Sequence, residues 1–408
     1  MRGTASAGLV MAAIVLCLGV PFREPFAGYG LGAAWIMQLV VRPGPKALGK
    51  SVGWGLILGL VYAWYWRWGI QAAFNVTFLC GILGVGSFLS LCLTALWAGS
   101  EERAQIAQIL FPAGAMAGFM FSTQRMLNLP SSLHPATFDF YAFAFDGSMG
   151  TQLSFLAGQW MVKAPWRMRA TVSVYESLPL WMALVYGAQL RSVRAYPQAR
   201  KKWAVFASFA VAGLLGWTIY CIFPVCGPKF FYLSYPRSFP GYALMSGLVA
   251  SGKLVALPLP SAIQRNGMPS LHMCWAFLIA WHTRCFRWTA KACAALFVAA
   301  TAFATVALGE HYVVDLVVAV PFTLLIIALC HPFGTSSVKT RISAVSLALG
   351  LVSLWLVLLR FQPVLFWRAV WIPWVLILLT MAAVLLEAKL LAQDRLISSQ
   401  PPVANCRS

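Results

Sequence analysis

Apolar runs long enough to cross a bilayer recur along almost the entire chain, with only short polar stretches between them. A span needs about 20 mainly apolar residues, fewer where neighbouring helices bury it. In lipid, backbone N–H and C=O groups find partners only within helices or closed barrels, and continuous runs of this length select helices. The chain is therefore read as an all-α, multi-span integral membrane helical bundle. Twelve spans are expected, at 6–21, 27–41, 52–66, 76–98, 105–121, 178–190, 203–223, 268–283, 289–308, 311–330, 342–359 and 369–391. The stretch after Arg2 has the length of a signal peptide, but with so many spans following it is read as a retained first span.

Charged residues make up only 10% of the chain and hydrophobic ones 61%, which excludes an ordinary water-soluble domain. The net charge of +20 raises the question of nucleic acid. The basic residues, however, sit in short clusters between apolar runs, which is how a membrane protein marks its cytoplasmic side. No nucleic-acid partner is expected. With the N-terminus inside, the clusters at Arg42/Lys46/Lys50, Arg191 to Lys202, Arg284/Arg287/Lys291 and Lys339/Arg341 all fall on the cytoplasmic side. Both termini then face the cytoplasm, and a plasma-membrane location is expected. Most of the ten cysteines lie inside apolar runs and read as small buried hydrophobes. A bridge between Cys221 and Cys226, the two nearest a surface, is left open.

The organisation expected is a set of N-terminal membrane helices over 1–104, a membrane core over 105–330, C-terminal membrane helices over 331–397 and a polar tail at 398–408. Two long segments of the core, 122–177 and 224–267, break the rhythm of spans on the outside face, and long loops are disproportionately functional. The first contains Phe138-Asp139-Phe140-Tyr141-Ala142-Phe143-Ala144-Phe145-Asp146. As a helix this places Asp139 and Asp146 on one face amid aromatics, which suits a helix lying in the headgroup region. The plainer reading is an aromatic belt with solvated carboxylates; the functional one is an acceptor or headgroup site made of Asp139, Asp146 and, further along the chain, Glu310.

Three constellations carry chemistry. In Gly309-Glu310-His311-Tyr312-Val313-Val314-Asp315, His311 and Asp315 are four apart on a helix face. A carboxylate there can take one imidazole N–H, fix the tautomer and leave the other nitrogen to act. A satisfied His–Asp pair at a helix end fits equally well. In Asn266-Gly267-Met268-Pro269-Ser270-Leu271-His272, a turn leads into a helix starting near Pro269. Its free N–H groups, with the Ser270 hydroxyl, suit an anion such as phosphate, and His272 faces the same opening. In the loop after the seventh span, Lys229 and Arg237 offer phosphate-binding cations, with Lys253 and Arg265 as weaker candidates. By topology all three fall on one membrane face. His282 and His331 belong about 15 Å and 30 Å further down their helices and read as structural. His134 is on the correct side, with nothing around it to explain a role.

The order Lys…Pro-Ser-x-His…His-x-x-x-Asp resembles that of the type 2 phosphatidic acid phosphatase superfamily, over roughly 105–330. The variant is similar to its inositolphosphotransferase branch, which includes the fungal inositol phosphorylceramide synthases. The resemblance implies that His311 is the nucleophile and forms a phosphohistidine, that Asp315 orients it, and that His272 protonates the leaving group. Ser270 and Lys229 would bind phosphate, and no metal or other cofactor is implied. Leu271 stands where the superfamily usually has Gly, as in that branch. Ala304 and Thr305 replace a common Ser-Arg pair, and the usual Lys-x6-Arg-Pro survives only as Lys229 with a shifted Pro236-Arg237. The phosphate-clamping arginine is thus open between Arg237 and Arg265.

The expected function is cleavage or transfer of a lipid phosphoester at the outer face, with inositol or another polyol as acceptor. A phosphatase with water as acceptor is the nearest alternative. A multi-span transporter is the rival of another class, although transporters place their charged sites near the bilayer middle. A non-catalytic scaffold is a third. The partners implied are a membrane lipid phosphoester and the acceptor.

Overall fold

The computed structural model describes residues 25–42, 44–65, 76–194, 204–232, 247–331 and 337–393. In chain order the helices are α1 (Pro25–Val41), α2 (Pro45–Tyr65), α3 (Val76–Trp97), α4 (Ser100–Leu133), α5 (Asp139–Ser148), α6 (Leu153–Val162), α7 (Pro165–Glu176) and α8 (Leu178–Arg194). They continue with α9 (Ala204–Ile222), α10 (Lys229–Tyr232), α11 (Leu271–Thr283), α12 (Trp288–Ala307), α13 (Val313–Cys330), α14 (Val338–Phe361), α15 (Pro363–Trp367) and α16 (Trp371–Gln393). Two-residue strands β1 (Ala136–Thr137) and β2 (Leu257–Pro258) pair antiparallel, Ala136 with Pro258 and Thr137 with Leu257. An all-helical membrane architecture follows directly from the apolar runs.

The expected twelve spans are not supported. Among the described residues six helices, α3, α9, α12, α13, α14 and α16, are long and apolar enough to cross a membrane. A seventh, α4, qualifies if its bent halves count as one span. The physical reasons are local. The runs at 27–41 and 178–190 form helices of 17 residues, and 268–283 forms one of 13. The run at 52–66 lies in a helix whose first turns carry Lys46 and Lys50. The run at 6–21 lies outside the described residues.

The chain divides into two compact units. The first comprises 1–124 and 176–202, and the second 125–175 and 203–408. In the first, α1, α2, α3 and α8 pack together. Gly84 on α3 lies so close to α1 that a Cβ there would meet the carbonyl of Leu31 at 2.1 Å, and Gly86 meets that of Ser51 on α2 equally closely. Small residues allow such approach where lipid supplies no hydrophobic drive between helices.

The second unit holds the three constellations. The C-terminal helices α14–α16 are part of it: Phe145 of α5 packs edge-on to Trp355 at 5.5 Å and Phe366 at 4.8 Å. Trp367 donates its indole N–H to the carbonyl of Ala144 at 3.0 Å. Nearly every residue of α5 is buried, so it is a core helix and not one lying among headgroups. Its aromatic rings find partners on α14 and α15, two hundred residues away, which no local pattern reveals. The segments expected as long outside loops contain regular elements among their described residues. The first contains the end of α4, β1 and α5 to α7, and β1 and β2 tie it to the second.

Candidate active site

α13 begins after a tight turn. Gly309 adopts φ +67°, which favours glycine, and its N–H closes onto the carbonyl of Val306 at 3.0 Å. The N–H groups of Glu310 and His311 both reach the carbonyl of Thr305. This turn presents His311 just ahead of the helix, almost fully buried, with Asp315 one turn later and buried completely.

His311 Nδ1 stands 2.8 Å from the carbonyl oxygen of Gly267 and 3.4 Å from Asp315 Oδ2. A carbonyl only accepts, so Nδ1 carries the proton and Nε2 keeps the lone pair. Asp315 Oδ2 also accepts the N–H of Tyr312 at 2.9 Å. The rings of His272 and His311 have centroids 6.2 Å apart, at 57°, and His272 stacks on Tyr175 of α7 at 3.8 Å and 17°. Ser270 is the N-cap of α11, its hydroxyl oxygen accepting the N–H of Met273 at 3.4 Å, while its own N–H donates to the carbonyl of Asp315 at 3.2 Å.

The turn Pro224–Pro228 is fastened to both other constellations. The N–H of Gly267 donates to the carbonyl of Val225 at 2.7 Å, and that of Lys229 to the carbonyl of Gly309 at 3.0 Å. Gly227, at φ +132°, lies so close to Glu310 that a Cβ would meet its carbonyl oxygen at 2.5 Å. Lys229 Nζ donates to both oxygens of Glu310 at 2.7 Å. Both groups are partly exposed, so the pair is screened and worth only about 0–1 kcal/mol.

Three expected site residues are placed in other ways, and a fourth falls outside the described residues. Arg265 is fully buried, and its guanidinium donates to the carbonyls of His134 at 3.3 Å, Leu259 at 2.7 Å, Pro260 at 2.8 Å and Ile263. That binds up the loop before α11 and leaves little of the fork for phosphate. Arg237 lies outside the described residues. Asp139 accepts the N–H groups of Cys226 and Gly227 and, at 2.9 Å, the hydroxyl of Tyr312. Asp146 accepts those of Val313 at 2.9 Å and Val314 at 3.3 Å. Both carboxylates are buried in the protein and do not face solvent. Burial pushes both carboxyls up, Asp146 well above the ordinary range, against the hydrogen bonds that lower them.

Sequence reasoning missed the Gly267 carbonyl, Tyr175 and the Tyr312 hydroxyl. Each acts across 44 to 173 residues of chain, and Gly267 contributes only backbone, which carries no side-chain signal. His134 Nε2 meets the carbonyl of Cys221 at 2.6 Å, and His282 meets Ser208 at 2.9 Å. Cys221 and Cys226 are free thiols. Among the described residues no three His, Cys, Asp or Glu groups stand where they could hold one metal ion.

Chemically, the arrangement offers an imidazole held through Nδ1, a second imidazole whose ring centroid lies 6.2 Å away, and on the adjoining turn the Lys229 ammonium, paired with Glu310. Neither the curated proteins nor the solved structures searched include a match. A family model described as PAP2 superfamily matches residues 142–329, a segment that includes Lys229, Ser270, His272, His311 and Asp315; this part of the chain is similar to the type 2 phosphatidic acid phosphatase superfamily.

Proposed function

We propose that this protein is a membrane lipid phosphotransferase that works through a phosphohistidine. The superfamily match supports a phosphatase-type membrane enzyme acting on lipid phosphoesters. The observation that carries the finer reading is the His311 tautomer. With Nδ1–H held by Gly267 and Asp315, Nε2 attacks phosphorus, forming the N–P bond as the bond to the leaving oxygen breaks. Asp315 stabilises the positive charge that develops on the ring. His272 gives a proton to the departing alkoxide and then, as general base, takes one from the acceptor hydroxyl, whose oxygen attacks phosphorus and forms the new O–P bond as the N–P bond to His311 breaks. Lys229, exchanging Glu310 for a phosphoryl oxygen, and the N-terminus of α11 at Ser270 neutralise the equatorial oxygens.

The acceptor proposed is inositol or another polyol, on the strength of Leu271 in Pro-Ser-x-His and the resemblance to the inositolphosphotransferase branch. The site is proposed to face outward from the plasma membrane, with both termini cytoplasmic, on the strength of the basic clusters. The test is an assay of purified protein with lipid phosphoesters, with and without inositol or a sugar alcohol. A new phospholipid that requires the polyol supports transfer. Release of free phosphate regardless of polyol assigns a phosphatase, and no consumption of any lipid phosphoester overturns the enzyme reading.

A further inference from the structure

α5 places two fully buried carboxylates, seven residues apart, against the two segments that carry His311 and Lys229. Asp146 accepts the N–H groups of Val313 and Val314, the first two residues of α13. A helix N-terminus leaves such donors without intrahelical partners; here a carboxylate from a distant helix caps them and complements the dipole. Asp139 accepts the Tyr312 hydroxyl on one side and the N–H groups of Cys226 and Gly227 on the other. The residues gripped are therefore 312 to 314, next to His311, and 226 to 227, two positions from Lys229. Isolated buried carboxylates cost several kcal/mol, and in this case every carboxylate oxygen accepts from a group next to the site.

We infer that Asp139 and Asp146 are positioning residues for the phosphoryl-transfer reaction, holding the start of α13 and the Val225–Lys229 turn so that His311 and Lys229 address the same phosphoryl group. The inference rests on the phosphohistidine reading above. Asp146 has a second effect. The N-terminus of α13 would itself attract an anion, and a carboxylate seated there leaves the N-terminus of α11, beside Ser270 and His272, as the phosphate position.

The test uses the full chain in detergent, with phosphatidic acid and phosphatidylinositol as probes and inositol present as acceptor, and compares wild type with Asp146→Asn, Asp146→Ala, Asp139→Asn and His311→Ala. Turnover is expressed per folded molecule, from the monodisperse peak in size exclusion. Asp146→Asn keeps one acceptor oxygen and is expected to lower kcat on the order of tenfold with KM within about twofold; Asp146→Ala keeps none and falls on the order of a hundredfold, the scale of a misplacement near 1 Å. Asp139→Asn should resemble Asp146→Asn. Asp variants with wild-type kcat per folded molecule, differing only in folded yield, overturn the inference while an inactive His311→Ala leaves the phosphohistidine reading standing. Should the Ala variant not fold, the two Asn variants decide the matter alone. Turnover by His311→Ala, or a wild type inactive on both probes, overturns the phosphohistidine reading and the inference with it.

Discussion

His311 donates its Nδ1–H to the carbonyl oxygen of Gly267, 44 residues earlier in the chain, at 2.8 Å. The bond to Asp315 is longer, 3.4 Å, so the backbone carbonyl is the nearer of the two acceptors and the ring is held from two sides. This division of labour sets expectations for each partner. His311→Ala should abolish turnover and any acid-labile phosphoprotein. Asp315→Asn should lower kcat on the order of a hundredfold or more without releasing the ring, since Gly267 still accepts. The measurement is kcat alongside phosphoenzyme trapping; unchanged turnover in His311→Ala would remove the nucleophile from the mechanism.

Arg265 and Lys229 should behave as opposites. Arg265→Ala removes a buried guanidinium that bonds four carbonyls. Those of Pro260 and Ile263 keep a second donor in the Ile263 N–H and the Ser131 hydroxyl, whereas those of His134 and Leu259 lose theirs. Each group left unsatisfied costs about 1–3 kcal/mol, so the thermal midpoint should drop. Lys229→Ala removes only a screened surface pair from the resting protein, and should fold normally with a raised KM for phosphoester. An Arg265→Ala enzyme of normal stability and raised KM would return Arg265 to the phosphate site.

Orientation is tested by thiol labelling. Ser261 and Ser192 are both exposed in the structure, so reactivity at either reports side and not burial. A cysteine at Ser261 should react with a membrane-impermeant reagent from outside, whereas one at Ser192 should be protected until the membrane is opened. The reverse pattern would put the active site in the cytoplasm.

The proposed mechanism needs no metal, because in it Lys229 and the start of α11 neutralise the phosphoryl oxygens. Activity should survive strong chelation, and orthovanadate should inhibit competitively. If EDTA abolishes turnover and zinc or magnesium restores it, His311 is a ligand and not the nucleophile.

What the sequence made legible was the part with short-range signatures. The four-residue spacing of His311 and Asp315, the Pro269-Ser270 helix start and the topological convergence of the three constellations all correspond to contacts in the folded chain. Spans 76–98, 203–223, 289–308, 311–330, 342–359 and 369–391 were readable because their apolar runs are unbroken. The run at 178–190 was not, since its helix is short and ends among basic residues. The roles of Asp139, Asp146 and Arg265 were hidden for a different reason. Carboxylates amid aromatics look interfacial until one knows that backbone N–H groups from 226–227 and 313–314 arrive beside them, and an arginine looks available until four carbonyls are found around it.

The aromatic layer behind α5 has a consequence for the order in which the enzyme is made. Phe145 and Ala144 leave the ribosome long before Trp355, Phe366 and Trp367, which complete their surroundings. A nascent chain that already carries His272 and His311 therefore still lacks the wall against which α5 rests. Maturation of catalytic competence should lag membrane insertion until the final two long helices have been delivered. Residues 1–336 made alone should insert yet turn over little substrate, and supplying residues 337–408 as a separate polypeptide should restore turnover; full activity from 1–336 alone would show that the wall is dispensable.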